Sequence, residues 1–184
     1  MSGSLTEFRP AREEAEGVYR LMANYFAQRD LIVKPAGSFA YSPNAATYGD
    51  VDIIVGYNDP SIMEDCLKEI FGVWDNGRGR TQGIIGRTQV DIFPCESRCI
   101  GAVELFYGNP LSLQLALRAI AATRGYSLTP RGLVDKNTGM LVETPSITSA
   151  YRFLGVDPFN NQDLERANAY RFDLRSIERK EGVS

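Results

Sequence analysis

The chain has 184 residues, 43% hydrophobic and 23% charged, with a net charge of −3. This is typical of one compact domain, or two small lobes sharing a core, and does not favour a generic polyanion binder. The absence of histidine excludes Ser-His-Asp triads, Cys-His pairs and histidine-bound zinc, and three cysteines argue against a disulfide framework. With no secretory signal and no membrane-length apolar run, we expect an intracellular, reducing compartment, cytoplasm or nucleus.

Apolar periodicity and the positions of Gly and Pro divide the chain into helices and strands. The predicted helices cover residues 9–28, 61–71, 101–107, 112–124 and 146–154, with helical spacing at 164–177; the predicted strands cover 31–36, 49–55, 84–86 and 89–93; residues 128–135 pair with 140–143 as a hairpin, and residues 72–83 form a basic loop. Pro35 indicates an edge strand. Asp59 and Pro60 are typical of an N-cap and a first helical position.

Three carboxylates are the strongest candidates for chemistry. Asp50 and Asp52 are two residues apart, so on a strand both lie on one face, where like charges are best tolerated with a cation between them. Asp91 lies in a second β-branched run. Three carboxylates on neighbouring strands can hold two Mg²⁺ ions, or Mn²⁺ in their place, without histidine. The alternative is that Asp50 and Asp52 merely begin a strand after a turn.

Two further groups have residue types that bind phosphate. Gly37-Ser38 allows backbone N–H groups and a hydroxyl to approach a phosphate closely, or is an ordinary turn. Arg78, Arg80 and Arg87 are candidates for nucleic-acid phosphates, although exposed hairpins commonly carry such residues. A nucleic acid would have to be held by such local Arg clusters or through metal ions.

The helix at residues 112–124 is almost entirely apolar, apart from Gln114 and Arg118 on one face. An Arg on such a helix favours an anionic or polar partner, so Arg118 is a candidate for contact with a nucleic-acid groove; the alternative is a snorkelling surface residue. Phe106 and Tyr107 precede this helix. They form either a wall against a nucleotide sugar and base or part of the core.

The order Gly37-Ser38, Asp50-Val51-Asp52 and Asp91 resembles the catalytic signature of DNA polymerase family X. The resemblance covers roughly residues 31–166 and is closest to small members that lack the lyase domain. The more specific matches are Phe106-Tyr107-Gly108-Asn109 at the family's aromatic pair, Arg118 on its nucleotide-pocket helix, and the later runs Arg124-Gly125-Tyr126-Ser127-Leu128, Leu154-Gly155-Val156 and Asp163-Leu164-Glu165-Arg166.

The resemblance implies that a primer 3′-hydroxyl attacks the α-phosphate of a dNTP and releases pyrophosphate, with two Mg²⁺ ions as cofactors. It implies that Asp50, Asp52 and Asp91 are the metal ligands and that Asp91 helps to deprotonate the hydroxyl. The other implied contacts are Gly37, Ser38 and Gly49 with the triphosphate; Phe106, Tyr107, Gly108, Asn109 and Gln114 in the nucleotide pocket; and Arg118, Arg124, Arg78, Arg80 and Arg87 with nucleic acid.

The chain departs from the family pattern at several positions. The gap between Gly37-Ser38 and the Asp pair is longer than usual, and the family's phosphate-binding Arg after Gly37-Ser38 is missing. We expect Arg78, Arg80 or Arg87 to replace it, or triphosphate binding to be weaker. Gln114 replaces the usual Asn, and the resemblance raises the expectation of a cis bond before Pro110.

We therefore predict an α+β protein, with a nucleotidyltransferase palm on a mixed sheet at residues 1–105 and a small α/β C-terminal subdomain at residues 106–184. The expected function is short, repair-type, DNA-directed DNA synthesis by a monomer that binds DNA and nucleoside triphosphates and no membrane. The alternatives are template-independent transfer to DNA or RNA ends, transfer to a small molecule or protein, and an inactive nucleic-acid-binding module. The carboxylates argue against the last, because acidic residues facing phosphates do not help a pure binder.

Overall fold

A computed structural model of the protein describes residues 8–72 and 79–157. Arg78, the run Asp163-Leu164-Glu165-Arg166 and the helical spacing predicted at 164–177 lie outside these residues. No helix within the described ranges combines the length and the apolar character that crossing a bilayer requires.

The described residues form a mixed α+β fold, which confirms the predicted class at this level. The helices are α1 (Arg12–Ala27), α2 (Gly37–Tyr41), α3 (Pro60–Phe71), α4 (Ile100–Tyr107), α5 (Leu111–Thr123) and α6 (Ile147–Phe153); the strands are β1 (Ile32–Pro35), β2 (Val51–Tyr57), β3 (Thr81–Ile85), β4 (Thr88–Glu96), β5 (Tyr126–Thr129) and β6 (Gly132–Asp135). Asp59 accepts a hydrogen bond from the Ser61 N–H, with Pro60 in the first turn, so the predicted cap of α3 is confirmed.

A four-stranded sheet with the order β1-β2-β4-β3 positions the acidic residues. The central strands β2 and β4 are parallel, whereas β1 and β3 pair antiparallel with their neighbours. In this register Asp52 lies opposite Asp91. Pro35 ends β1, which is an edge strand as predicted, because an outer edge needs no N–H donor.

The two faces of the sheet are covered by different helices. One face packs against α1 and α3 in a cluster that includes Phe26, Val51, Ile53, Val55, Met63, Leu67, Val90 and Ile92. Ile54 of β2 and Phe93 of β4 belong instead to a cluster with α4. Because side chains alternate along a strand, Asp52 and Asp91 lie on the α4 face.

A third apolar cluster joins α4 to α5, the β5–β6 hairpin and α6, and includes Leu105, Leu117, Leu128, Leu133, Tyr151 and Leu154. The N–H of Gly101 donates to the carbonyl of Thr144 at 2.7 Å, and a Cβ on Gly101 would lie 2.0 Å from the Ser146 carbonyl oxygen. A glycine is therefore needed where α4 meets the segment before α6. The predicted boundary between residues 105 and 106 falls inside α4, and the division into domains stays a prediction.

Four predictions of local structure differ from the structure in whole or in part. Residues 81–83, expected in the basic loop, begin β3. Gly37-Ser38 begins the short helix α2 rather than a turn. The predicted pairing of residues 128–135 with 140–143 is confirmed in part, because the Asp135 N–H donates to the Met140 carbonyl, the Val142 N–H donates to the Leu133 carbonyl, and Leu141 bridges Val134. The regular ladder lies earlier, however, between β5 and β6 across Pro130 and Arg131. This earlier reversal is compatible with Gly132, whose φ of 125° is rare for other residues. The bond before Pro110 is trans, since the described residues contain no cis peptide.

Candidate metal centre

Asp50, Asp52 and Asp91 converge at one end of the parallel pair β2–β4. Asp50 immediately precedes β2, Asp52 is its second residue, and Asp91 lies opposite Asp52 on β4. One carboxylate oxygen from each residue lies within 4.8 Å of the others. The convergence expected from the sequence is therefore observed, and metal binding by these oxygens stays a prediction.

Burial and mutual repulsion disfavour three negative charges in this space. Burial raises the pKa of Asp52 to about 8, and the charges of Asp50 and Asp91 add to the rise. Burial also raises the pKa of Asp50, helped by the Asp91 charge and opposed by Arg80 and Arg9. A divalent cation would relieve this repulsion, and carboxylate oxygens are the ligands that Mg²⁺ and Mn²⁺ prefer. The residues therefore fit such an ion.

Three side chains hold Asp91. One lies on β3, one on β4, and one on the residue that precedes β3. The Asp91 side chain is 1% exposed and accepts hydrogen bonds from Arg80, Gln82 and Gln89. The two glutamines are not among the site residues predicted from the sequence. The signal is the hairpin register, which places Gln82 opposite Asp91, together with the position of Gln89 two residues before Asp91 on the same face.

Gly37 closes the site beside Asp52. The Ala36 N–H donates to the Asp52 carbonyl at 2.9 Å, which brings the chain leaving β1 next to β2. Gly37 has a φ of +53°, and a Cβ there would lie 1.8 Å from Asp52 Oδ2. Only glycine fits this position without moving the carboxylate. Contacts of Gly37 and of Ser38, the second residue of α2, with a phosphate stay predictions.

Arg9 is a cation near the site that the sequence analysis did not identify. It is exposed, and a Cβ on Gly49 would lie 3.7 Å from Arg9 Nη1. Its charge also opposes the raised pKa of Asp50. No local pattern indicates this proximity, because Arg9 precedes α1 whereas Gly49 precedes β2.

Tyr107 joins the end of α4 to the acidic face of the sheet. Its ring stacks on Phe93 with centroids 3.9 Å apart, and Phe106 meets Tyr107 edge-on at 4.9 Å. Burial raises the pKa of Tyr107 to about 12, and the charges of Arg80 and Asp52 also act on it. Tyr107 therefore lies near the carboxylates, whereas Phe106 also packs against the C-terminal cluster.

The connection between α4 and α5 is held by hydrogen bonds of its own side chains. Asn109 Nδ2 donates to the Leu105 carbonyl at 3.0 Å, and Gln114 Nε2 donates to the Phe106 carbonyl at 2.7 Å. Gly108 is the C-cap of α4. Both amides thus use a donor within the chain, and the nucleotide contacts expected of these three residues stay predictions.

Arg118 is exposed on α5 and lines a groove of about 310 Å³ between α5 and β5. The lining residues of this α5–β5 groove are Leu115, Arg118, Ala119, Ala122, Tyr126, Ser127, Leu128 and Lys136. Its charged residues are Arg118 and Lys136, so the groove is positively charged.

The other predicted nucleic-acid residues are dispersed. A Cβ on Gly155 would lie 2.3 Å from Arg124 Nη1, so the Arg124 side chain lies against the chain that follows α6. The Arg87 guanidinium stacks over the Phe8 ring at 3.9 Å. Arg78 lies outside the described residues. Arg124 and Arg87 thus have different neighbours within the chain, and their contacts with nucleic acid stay predictions.

Comparison of the chain with protein-family models gives no match, and comparison with curated proteins gives none. The functional interpretation therefore depends on the residues and geometry of the site itself.

Proposed function

We propose that the protein is a Mg²⁺-dependent nucleotidyltransferase of the DNA polymerase family X type, whose palm is the sheet β1–β4 and which adds a nucleotide to a DNA 3′ end. One observation carries the proposal: carboxylate oxygens of Asp50, Asp52 and Asp91 lie within 4.8 Å of one another. Two-metal sites hold their ions roughly 3.5–4 Å apart, which requires acidic ligands at such separations.

The roles of the residues are those that the resemblance implies. A divalent cation bound here would lower the pKa of an attacking hydroxyl and neutralise charge on a triphosphate. Asp50 and Asp52 would hold both ions, and Asp91 would hold the ion at the primer hydroxyl and help to deprotonate that hydroxyl. Because Gly37 has no side chain, it does not cover the neighbouring Asp52 Oδ2. The exposed guanidinium of Arg9 offers the planar donors that bind a triphosphate.

The test is an extension assay on three DNA substrates. Labelled gapped duplex, primer–template and single-stranded primer are incubated with Mg²⁺ and dNTPs or rNTPs. We expect dNMP incorporation on the templated substrates. Asp50→Asn should reduce it about a thousandfold, because losing a metal ligand forfeits several kcal/mol of transition-state stabilisation. Asp65→Asn, at an exposed position on α3, is the matched control and should stay within about twofold of wild type.

The other outcomes separate the alternatives. Extension of single strands would instead assign template-independent transfer. Labelling of a small molecule or of the protein itself would assign a different acceptor. No incorporation into any substrate, or equal rates for Asp50→Asn and wild type, would contradict the catalytic proposal.

The α5–β5 groove supports the nucleic-acid part of the proposal, and Arg118→Ala tests it. Loss of one phosphate contact should weaken DNA binding at every sequence and reduce the slope of log K against log salt by about 1. The measurement is fluorescence anisotropy with duplex DNA over about 50–200 mM salt. Arg20→Ala, on α1, removes the same charge outside the groove and should leave the slope unchanged. Equal slopes for the two variants would exclude Arg118 from the interface.

A further inference from the structure

The carboxylate of Asp91 is saturated by donors, unlike those of Asp50 and Asp52. Its Oδ2 accepts hydrogen bonds from Arg80 Nη1 and Gln82 Nε2, both at 2.9 Å, and its Oδ1 accepts them from Gln89 Nε2 at 2.8 Å and from Gln82 Nε2 at 3.0 Å. Among the described residues, the ion pairs include one for Asp91 and none for Asp50 or Asp52. Asp91, the metal ligand expected beside the attacking hydroxyl, is therefore already paired with the guanidinium of Arg80.

Arg80 is a cation whose charge acts on all three carboxylates. Its side chain is 14% exposed, and that of Asp91 is 1% exposed, so water screens the pair weakly. Its charge also opposes the raised pKa of Asp50 and of Asp52. A guanidinium on Asp91 Oδ2 and a divalent cation at the three carboxylates would repel each other at short range.

The sequence positions of the three donors show how this conflict can be resolved. Arg80 precedes β3 and is not part of the strand ladder, so its side chain can move without breaking a strand pair. Gln82 and Gln89 lie within β3 and β4 and are neutral. They can keep the Asp91 carboxylate oriented after the guanidinium leaves, because amide donors carry no net charge to repel the ion.

We infer that Arg80 is a positioning residue that holds Asp91 when the divalent cation is absent and is displaced from it when the cation binds. The inference rests on the proposed function, because it requires the metal centre at Asp50, Asp52 and Asp91. In this role, pairing with Arg80 weakens metal binding by Asp91. If Arg80 only oriented the Asp91 carboxylate for the ion, the pairing would instead strengthen metal binding.

Metal affinity separates the two roles without an activity assay. Arg80→Gln should bind Mn²⁺ about tenfold more tightly than wild type, measured by calorimetry and by the electron paramagnetic resonance of free Mn²⁺, because a nearby positive charge is removed. The same variant should be less stable than wild type in EDTA, because a buried carboxylate loses its counter-charge. Arg98→Gln removes the same charge from an exposed pair with Glu96 and Glu143 and should change neither quantity appreciably.

A second measurement uses the wild-type protein and does not depend on a variant that folds. The side-chain nitrogen resonances of Arg80, assigned in wild type by through-bond correlation with its own backbone, should shift and exchange faster as Mg²⁺ is added. Unchanged resonances at saturating Mg²⁺, or weaker or equal Mn²⁺ binding by Arg80→Gln, would overturn the inference.

The failure of the proposed function has a different signature. If no form of the protein binds Mn²⁺, or if Asp52→Asn binds it as wild type does, the metal centre itself is absent and both proposals fall. If wild type binds Mn²⁺ through Asp52 but Arg80→Gln binds it no more tightly, only the role of Arg80 is refuted.

Discussion

Gly37→Ala is expected to reduce nucleotidyl transfer at least a hundredfold while the protein remains folded. The added Cβ would lie 1.8 Å from Asp52 Oδ2, so the carboxylate must rotate away from Asp50 and Asp91. A ligand displaced by about 1 Å can cost about a hundredfold in rate. Steady-state extension of a gapped duplex measures the loss, and Mn²⁺ affinity should fall in parallel because the proposed metal centre uses the same carboxylate.

The backbone strain of this substitution can be separated from its effect on Asp52. Gly37 has a φ of +53°, whereas Gly72 has a φ of +70° and a Cβ on it would meet no atom within 4 Å. Gly72→Ala therefore carries a similar left-handed penalty, about 1–2 kcal/mol, without touching the site. It should lose stability and keep its activity and Mn²⁺ affinity. Similar activities for the two alanine variants would show that Asp52 does not depend on Gly37.

The sequence was sufficient to predict the acidic centre because its signal is local. Asp50 and Asp52 precede a β-branched strand, and Asp91 lies within another, so a period of two places each set on one face. The parallel register that sets Asp52 opposite Asp91 is not local. It is fixed by the path through α3 and β3 and by burial of both strands, which no spacing in the sequence encodes.

The arginines show why charge alone predicts position poorly. Arg80 has the sequence context of an exposed basic loop, yet its guanidinium pairs with the buried carboxylate of Asp91. The residue directly opposite Asp91 in the strand pair is Gln82, two positions after Arg80. Arg124 matches a family run but lies against Gly155. A long, flexible cation can extend toward solvent, a ligand or a buried anion, and only the tertiary structure decides among these partners.

Glycine contacts are similarly hidden from sequence patterns. The sequence indicates that Gly37 lets a phosphate approach, and the structure places the Asp52 carboxylate against it. A side chain is thus excluded at Gly37 by a neighbour that the sequence does not identify, and the approach of a phosphate stays a prediction. Local propensity likewise does not indicate that Gly37 begins α2, because a helix of five residues leaves little periodic signal.

Asp52→Asn is expected to abolish transfer, by at least about a thousandfold, and at the same time to stabilise the metal-free protein. Burial and the charges of Asp50 and Asp91 raise the pKa of Asp52 to about 8 from its ordinary value of 3.8. Between these two values the folded protein retains a proton that the unfolded chain releases. The free energy of unfolding in EDTA should therefore fall as pH rises from about 4 to about 8.

Asparagine has a similar shape and no charge, so this contribution to the pH dependence should disappear. Urea denaturation followed by circular dichroism, in EDTA at several pH values from about 4 to 8, should show Asp52→Asn more stable than wild type by about 1–3 kcal/mol at the upper end and nearly equal to it at about pH 4. Asp65→Asn, at an exposed site, should match wild type throughout. Mg²⁺ should stabilise wild type and not Asp52→Asn, because in the proposed metal centre the ion binds the folded state through this carboxylate. If Asp52→Asn were less stable than wild type at pH 8 in EDTA, the folded protein itself would stabilise the Asp52 charge, and no cation would be needed to do so.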